Sequence, residues 1–143
     1  MLKYAVFALV MIGCTAVPAV AEPVLISAPE AHEARMAGDL TLIDVRTPAE
    51  WSKTGRAQGA IGATLQDADF IAQVLASVGG DKTKPVALMC RTGQRSSTAA
   101  ARLEQAGFTQ VYNVREGFVG RRGVGPGWRA RNLPIERYDP STE

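Results

Sequence analysis

Short β-like runs alternate with helix-like runs along most of this chain. That alternation restricts it to an α/β domain, a parallel sheet with helices on both faces. Val24-Leu25-Ile26 reads as a first strand. Ser27, with Glu30 three residues on, opens a helix running to about Ala37, and Gly38-Asp39 ends it. Thr41 to Val45 is almost continuously apolar, as expected of a strand covered on both faces. Apolar residues recur at helical spacing between Asp67 and Val78, at Phe70, Ile71, Val74, Leu75 and Val78. Pro85 to Met89 is a further strand, Ser97 to Ala106 an alanine-rich helix stopped by Gly107, and Val111 to Val114 another strand. The glycine-rich stretch from about 118 to 143 reads as ordered coil, with Trp128, Leu133 and Ile135 available to pin it down.

The first 21 residues have the anatomy of a cleavable secretory leader. Lys3 supplies a positive start, Ala5 to Ile12 an uncharged apolar run, and Ala19-Val20-Ala21 a small-x-small cleavage site. The apolar run is too short to span a bilayer and is followed by Pro18. Cleavage after Ala21 implies a periplasmic or secreted protein, one domain over residues 22–143. The competing outcome is a lipoprotein anchored at Cys14, since Gly13-Cys14 late in an apolar run resembles a lipoprotein box. Membrane attachment is expected only in that case.

Loss of the leader leaves 122 residues and takes Cys14 with it, so Cys90 becomes the sole cysteine and no internal disulfide can form. One cysteine and one histidine, His32, cannot build a structural zinc site, and no metal or other cofactor is expected. A formal charge of +2 without a Lys/Arg run gives no ground for nucleic-acid binding.

Chemistry concentrates in residues 85–97, PVALMCRTGQRSS. A buried strand runs into Cys90, then a turn containing Gly93, then a helix beginning near Arg95 or Ser96. Ligands of open α/β sheets bind beyond the carboxyl ends of strands, where Cys90 falls. The helix start offers unsatisfied N–H groups and a positive dipole end, and Arg91 and Arg95 add two charges; all favour thiolate over thiol. A structural cysteine closing a strand is the plainer alternative, and the flanking arginines fit it poorly.

Cys90-Arg91-Thr92-Gly93-Gln94-Arg95-Ser96 resembles the active-site loop of the rhodanese-like sulfurtransferases. The stretch from Leu42 through Asp44, Val45, Arg46, Thr47 and Pro48 to Trp51 is similar to the family's upstream signature. Arg95 to Leu103 with Gly107-Phe108 resembles its helix after the loop, and Val111 to Val114 with Glu116-Gly117 extends the likeness, so that nearly all of residues 39–134 are covered. The resemblance implies that the four residues between Cys90 and Arg95 hold a single sulfur atom, whereas the related phosphatases and arsenate reductases carry one more. It implies sulfur transfer: Cys90 takes sulfane sulfur from a small anionic donor such as thiosulfate, carries it as a persulfide and yields it to a thiophilic acceptor such as a protein thiol. Backbone N–H groups from Arg91 to Arg95 would stabilise the anionic sulfur, and Arg91 and Arg95 would attract the donor. Gly93 would supply a backbone conformation that a Cβ disfavours.

Asp44 and Arg46 are expected to support the loop, Asp44 by accepting hydrogen bonds from it; the plainer reading pairs Arg46 with Glu50. Trp51 reads as a core aromatic and His32 as a helix-face residue without a catalytic part. After Trp51 the family usually has Gly-His-Ile-Pro-Gly-Ala, where this chain has Gly55-Arg56-Ala57-Gln58-Gly59-Ala60. Arg56 thus replaces a histidine and Gln58 a proline. From Arg115 to Arg131 there are five arginines against one acid, Glu116, a surplus of four positive charges; Arg121 and Arg122 read first as a solvated face, though an anionic substrate or acidic partner would still be drawn to this side. Two alternatives to an active sulfurtransferase remain: a rhodanese-fold interaction module or sulfur carrier, and a phosphatase or arsenate reductase.

Overall fold

The computed structural model describes residues 22–142. The leader and Cys14 lie outside the described residues. In chain order the elements are β1 (Val24–Ile26), α1 (Ala28–Ala37), β2 (Thr41–Asp44), α2 (Pro48–Thr54), β3 (Arg56–Ala57), β4 (Ile61–Gly62), α3 (Phe70–Ser77), β5 (Val86–Met89), α4 (Gln94–Gln105), β6 (Val111–Val114), β7 (Gly120–Arg121), β8 (Gly125–Pro126), a 3-10 turn (Arg129–Arg131) and β9 (Ile135–Glu136).

Five strands form a parallel sheet in the order β1-β6-β5-β2-β4, with β5 at its centre. All four residues of β5 are buried, which explains its unbroken apolar run. Alternate residues serve opposite faces. Val86, Leu88 and Ile43 pack with Phe70 and Val74 of α3 and Ala99, Ala100 and Leu103 of α4. Ala87, Met89 and Leu42 pack with Ala28 and Ala31 of α1 and with Phe118 and Trp128. Helices therefore cover both faces, as the alternation of elements predicts.

Local sequence accounts for most boundaries. Ser27 caps α1 through the expected capping box with Glu30, and Gly38 closes it in the left-handed region at φ 80°. Thr47 and Glu50 form a second capping box on α2, with Pro48 at its first turn. The helix expected from Asp67 starts only at Phe70, because the Asp67 N–H bonds the Thr64 carbonyl and the Phe70 N–H the Asp67 carbonyl in turns ahead of it. Conversely, α4 starts at Gln94, ahead of the residues that marked it in the sequence.

The trailing segment is more regular than its composition indicates. β7 and β8 pair as a hairpin, and β9 pairs antiparallel with β3. Trp128 is fully buried and its indole N–H donates to the Pro134 carbonyl at 2.8 Å; Ile135 is 41% exposed and pairs with Ala57 where β9 meets β3.

Candidate active site

The central strand delivers Cys90 to the carboxyl edge of the sheet, where it is 1% exposed. Gly93 then turns the chain into α4 with φ 89° in the left-handed region. A Cβ there would run into the Arg115 carbonyl, so this position needs glycine on both counts. The turn points the Gly93 N–H at Cys90 Sγ, 3.1 Å away. One turn into α4, the fully buried Ser96 places its Oγ 3.3 Å from the same sulfur. Among the described residues these are the two donors on Sγ, fewer than the full ring of N–H groups from Arg91 to Arg95 that the sequence leads one to expect.

Asn113, in the neighbouring strand β6, ties the two donors together. Its Oδ1 accepts from the Ser96 hydroxyl at 2.7 Å and its Nδ2 donates to the Gly93 carbonyl at 3.0 Å. Ser96 thus has one proton and two acceptors in reach, Asn113 Oδ1 and Cys90 Sγ. A thiol can donate to the Ser96 oxygen, whereas a thiolate or persulfide draws the hydroxyl proton to itself. Asn113 is 3% exposed among apolar strand neighbours. A buried polar residue that must find partners is the signal by which the sequence could have shown it.

The other flank of the loop is clamped by the segment after β6. Phe118 N–H donates to the Cys90 carbonyl at 2.8 Å and Val119 N–H to the Arg91 carbonyl at 3.0 Å. Gly117 makes this approach, with φ 68° and a position where a Cβ would stand 2.6 Å from the Arg91 carbonyl oxygen. The Arg46 guanidinium lies over the Phe118 ring, 4.0 Å from its centroid.

The supporting pair behaves differently from its expectation. The buried Asp44 carboxylate takes the Arg46 backbone N–H, Nε and Nη2, at 2.7–3.1 Å, and among the described residues no hydrogen bond joins it to the Cys90 loop. Arg46 also donates to Thr54 Oγ1 and the Gly55 carbonyl, so it reaches the loop only through Phe118. The plainer pairing of Arg46 with Glu50 does not form either. Glu50 instead binds Arg95 through both guanidinium nitrogens, at 2.9 and 2.6 Å. Those bonds, helped by Thr47, hold the Glu50 carboxyl down at about 2 against burial, which pushes it up; the same partner raises Arg95.

Arg95 is therefore committed to Glu50, leaving Arg91, exposed at the loop, as the freer charge. Thr92 is half-buried and Gln94 exposed. Trp51 is core-like at 4% exposure. His32 meets Trp128 edge-on, 5.4 Å between centroids, on the α1 side. Arg56 is buried with its guanidinium 5.2 Å from the rings of both Trp51 and Tyr138 and 3.8 Å from Glu136. The departure from the usual histidine is thus built into the contact between β3 and the trailing segment. A cleft of about 440 Å³ opens beside the loop, lined by Gly93, Gln94, Ser97, Asn113, Arg115 and Arg121 among others.

Comparison with known proteins places the family and the fold. Residues 27–121 match the family model described as a rhodanese-like domain. A sulfurtransferase of Allochromatium vinosum is 36% identical over 97 residues, covering 68% of this chain and 78% of that one. The crystal structure of Rv0390 from M. tuberculosis superposes with a TM-score of 0.66 at 27% identity, covering 82% of this chain and 100% of that chain. The polysulfide-sulfur transferase homodimer of Wolinella succinogenes superposes with a TM-score of 0.61 at 28% identity, over 87% of this chain and 85% of that one.

Proposed function

The chain belongs to the rhodanese-like domain family, and on that premise we propose that it transfers sulfane sulfur through a persulfide on Cys90. The observation that carries this reading is the pair of donors, Gly93 N–H and Ser96 Oγ, at 3.1 and 3.3 Å from one buried sulfur. The Cys90 thiolate attacks the outer sulfur of a donor such as thiosulfate. The donor's S–S bond breaks and its electron pair leaves with sulfite, while a new S–S bond forms on Cys90. A thiophilic acceptor then attacks that outer sulfur, and the electron pair of the second broken bond returns to Sγ. The Gly93 N–H stands where negative charge resides at both ends of the cycle, and Ser96 adds its hydroxyl proton by turning it from Asn113 Oδ1 to the thiolate. Exposed Arg91 draws the anionic donor, and Arg95 is oriented for the loop by Glu50. The four residues between Cys90 and Arg95 match the count that the family resemblance associates with a single sulfur atom, which supports sulfur over a tetrahedral oxyanion.

The reading includes export: Cys90 works in the periplasm or outside the cell after cleavage at Ala21. Intact mass of protein recovered from an exported fraction tests both parts at once. The expected product begins at Glu22, gains the mass of one sulfur atom with thiosulfate, and loses it to cyanide. Cys90→Ser should gain none, because a hydroxyl forms no persulfide. Recovery of a lipidated Cys14 would replace the free protein by an anchored one. Wild-type protein that gains no sulfur while still binding partners would make it an interaction module.

A further inference from the structure

Charge is unevenly placed on this chain. The whole carries 16 basic and 14 acidic residues, a net +2, yet residues 115–131 alone carry a surplus of four positive charges, leaving the remainder net negative. Within that segment the fully buried Glu116 lies between Arg115 and Arg131, at 3.5 and 3.4 Å. Arg121, Arg122 and Arg129 are exposed, and among the described residues no carboxylate pairs with them.

The fold brings these charges to the nucleophile. The β7–β8 hairpin that bears Arg121 and Arg122 grows directly from Phe118 and Val119, which hold the Cys90 and Arg91 carbonyls. Arg121 and Arg115 line the cleft of about 440 Å³ together with Gly93, the residue whose N–H lies on Sγ. Glu22 also lines it. Arg121 and Arg122 line a second, shallower cleft of about 720 Å³ along the hairpin. Arg91 is exposed, and its carbonyl accepts the Val119 N–H at the base of the hairpin.

A small dianionic donor touches only groups within a few ångströms of the sulfur, so charges spread along a hairpin are surplus to it. An extended cationic rim suits an extended anionic surface, which it attracts and orients. Neither cleft is lined by an aromatic ring on which a base could stack, which favours a protein over a single-stranded nucleic acid. We propose that the rim formed by Arg91, Arg115, Arg121 and Arg122 docks an acidic partner protein whose thiol accepts the sulfur. This rests on the persulfide reading above. In the step, the partner thiolate attacks the outer sulfur of the Cys90 persulfide. The bond between the two sulfurs breaks, its electron pair goes to Cys90 Sγ, and the partner leaves as a persulfide; no outside oxidant or reductant takes part.

Two synthetic peptides of equal length serve as probes, one with its single cysteine flanked by glutamates, the other with glutamines in their place. Binding is read with serine versions of both, which report docking without sulfur chemistry, and transfer is read by mass on sulfur-loaded protein. At low salt the glutamate peptide should bind and accept sulfur about tenfold better than the glutamine peptide. The preference should vanish at about 0.5 M salt. It should vanish too in the double variants Arg121→Gln/Arg122→Gln and Arg121→Glu/Arg122→Glu, while thiosulfate loading of Cys90 falls by a smaller factor than transfer to the glutamate peptide. Using both variants separates lost charge from any disturbance of the hairpin by charge reversal. Equal binding of the two peptides to the wild type, or a preference that survives both variants, would overturn the proposal. Tighter binding of a mixed-sequence oligonucleotide than of the glutamate peptide would overturn it in favour of nucleic acid. Failure of Cys90 to load sulfur would remove the persulfide reading alone, since the serine peptides still decide whether the rim docks acidic chains.

Discussion

Asn113 sits in a strand of apolar neighbours and makes two hydrogen bonds that no apolar residue could replace, to Ser96 Oγ and to the Gly93 carbonyl. Both partners belong to the pair of donors that faces Cys90 Sγ. In Asn113→Ala the Gly93 carbonyl is left with the Ser97 N–H at 3.3 Å and the Ser96 hydroxyl with Cys90 Sγ, and the two lost bonds cost about 1–2 kcal/mol in unfolding free energy. The Ser96 hydroxyl is then also free to turn, so sulfur loading at saturating thiosulfate should slow by about tenfold or more, with little change in the thiosulfate concentration needed for half saturation. Denaturant unfolding and loading kinetics check the two parts, and an alanine variant that loads at the wild-type rate would reduce Asn113 to a packing role. At this scale Cys90, Gly93 and Ser96 were legible in the sequence because chemistry and chain direction coincide within seven residues. Asn113, Phe118 and Gly117 were not, because they meet the loop across neighbouring strands. The roles of Asp44 and Glu50 were misread for a related reason. Spacing along the chain pairs Arg46 with Glu50, but the buried Asp44 claims Arg46, and Glu50, at the third position of α2, is free to reach Arg95.

The bond from Glu50 to Arg95 is also a link between elements, because it joins the first turn of α2 to the first turn of α4. Glu50 serves two ends: it closes the capping box of its own helix through the Thr47 N–H and receives both Arg95 nitrogens. Its carboxyl is held down at about 2 from the ordinary 4.5, chiefly by Arg95. A carboxylate lowered in the fold contributes its stabilisation in full above the unfolded value and loses it as pH falls toward the folded one. The gap in stability between wild type and Glu50→Gln should therefore be constant above about pH 5 and close progressively between about 4.5 and about 2. Urea unfolding midpoints at a series of pH values measure it. A gap that does not narrow on acidification would mean that the carboxylate charge is not what joins the helices. Partial exposure of both side chains keeps the effect modest. Elements with local signals, such as α1 with Ser27, Glu30 and Gly38, could be read from the chain. The start of α4 is legible nearly to the residue from Gly93, but what fixes it there is not, since that is the approach of left-handed Gly93 to the Arg115 carbonyl, a contact between residues 22 positions apart.

The whole molecule is closed by the segment from about residue 118 onward, which composition alone describes as coil. Nothing periodic marks residues 117–138, because their order comes from contacts with the rest of the domain. Trp128 packs against the α1 face with Ala28, Ala31, Met89 and Phe118, its N–H bonds the Gly117 carbonyl, and its indole bonds Pro134. β9 then pairs with β3, where Glu136 and Tyr138 surround Arg56. The arginine that departs from the family's usual histidine and the segment beyond the family match at residue 121 thus occupy one another's surroundings. The trailing segment accordingly works as a strap over the α1 face rather than as an appendage. Trp128→Ala should cost about 3–5 kcal/mol in unfolding free energy, the range for a large aromatic lost from a packed core. It should also slow sulfur loading, because Phe118, its neighbour in the same cluster, holds the Cys90 carbonyl. Ile135→Ala is the comparison within the same segment: at 41% exposure it removes less buried surface and leaves the β9–β3 pairing in place, so it should cost less stability than Trp128→Ala and leave loading close to wild type. Denaturant unfolding of the two variants decides the matter. A tryptophan variant as stable as the isoleucine variant would mean that the strap merely lies on the domain, and that the clamp on the nucleophile owes it nothing.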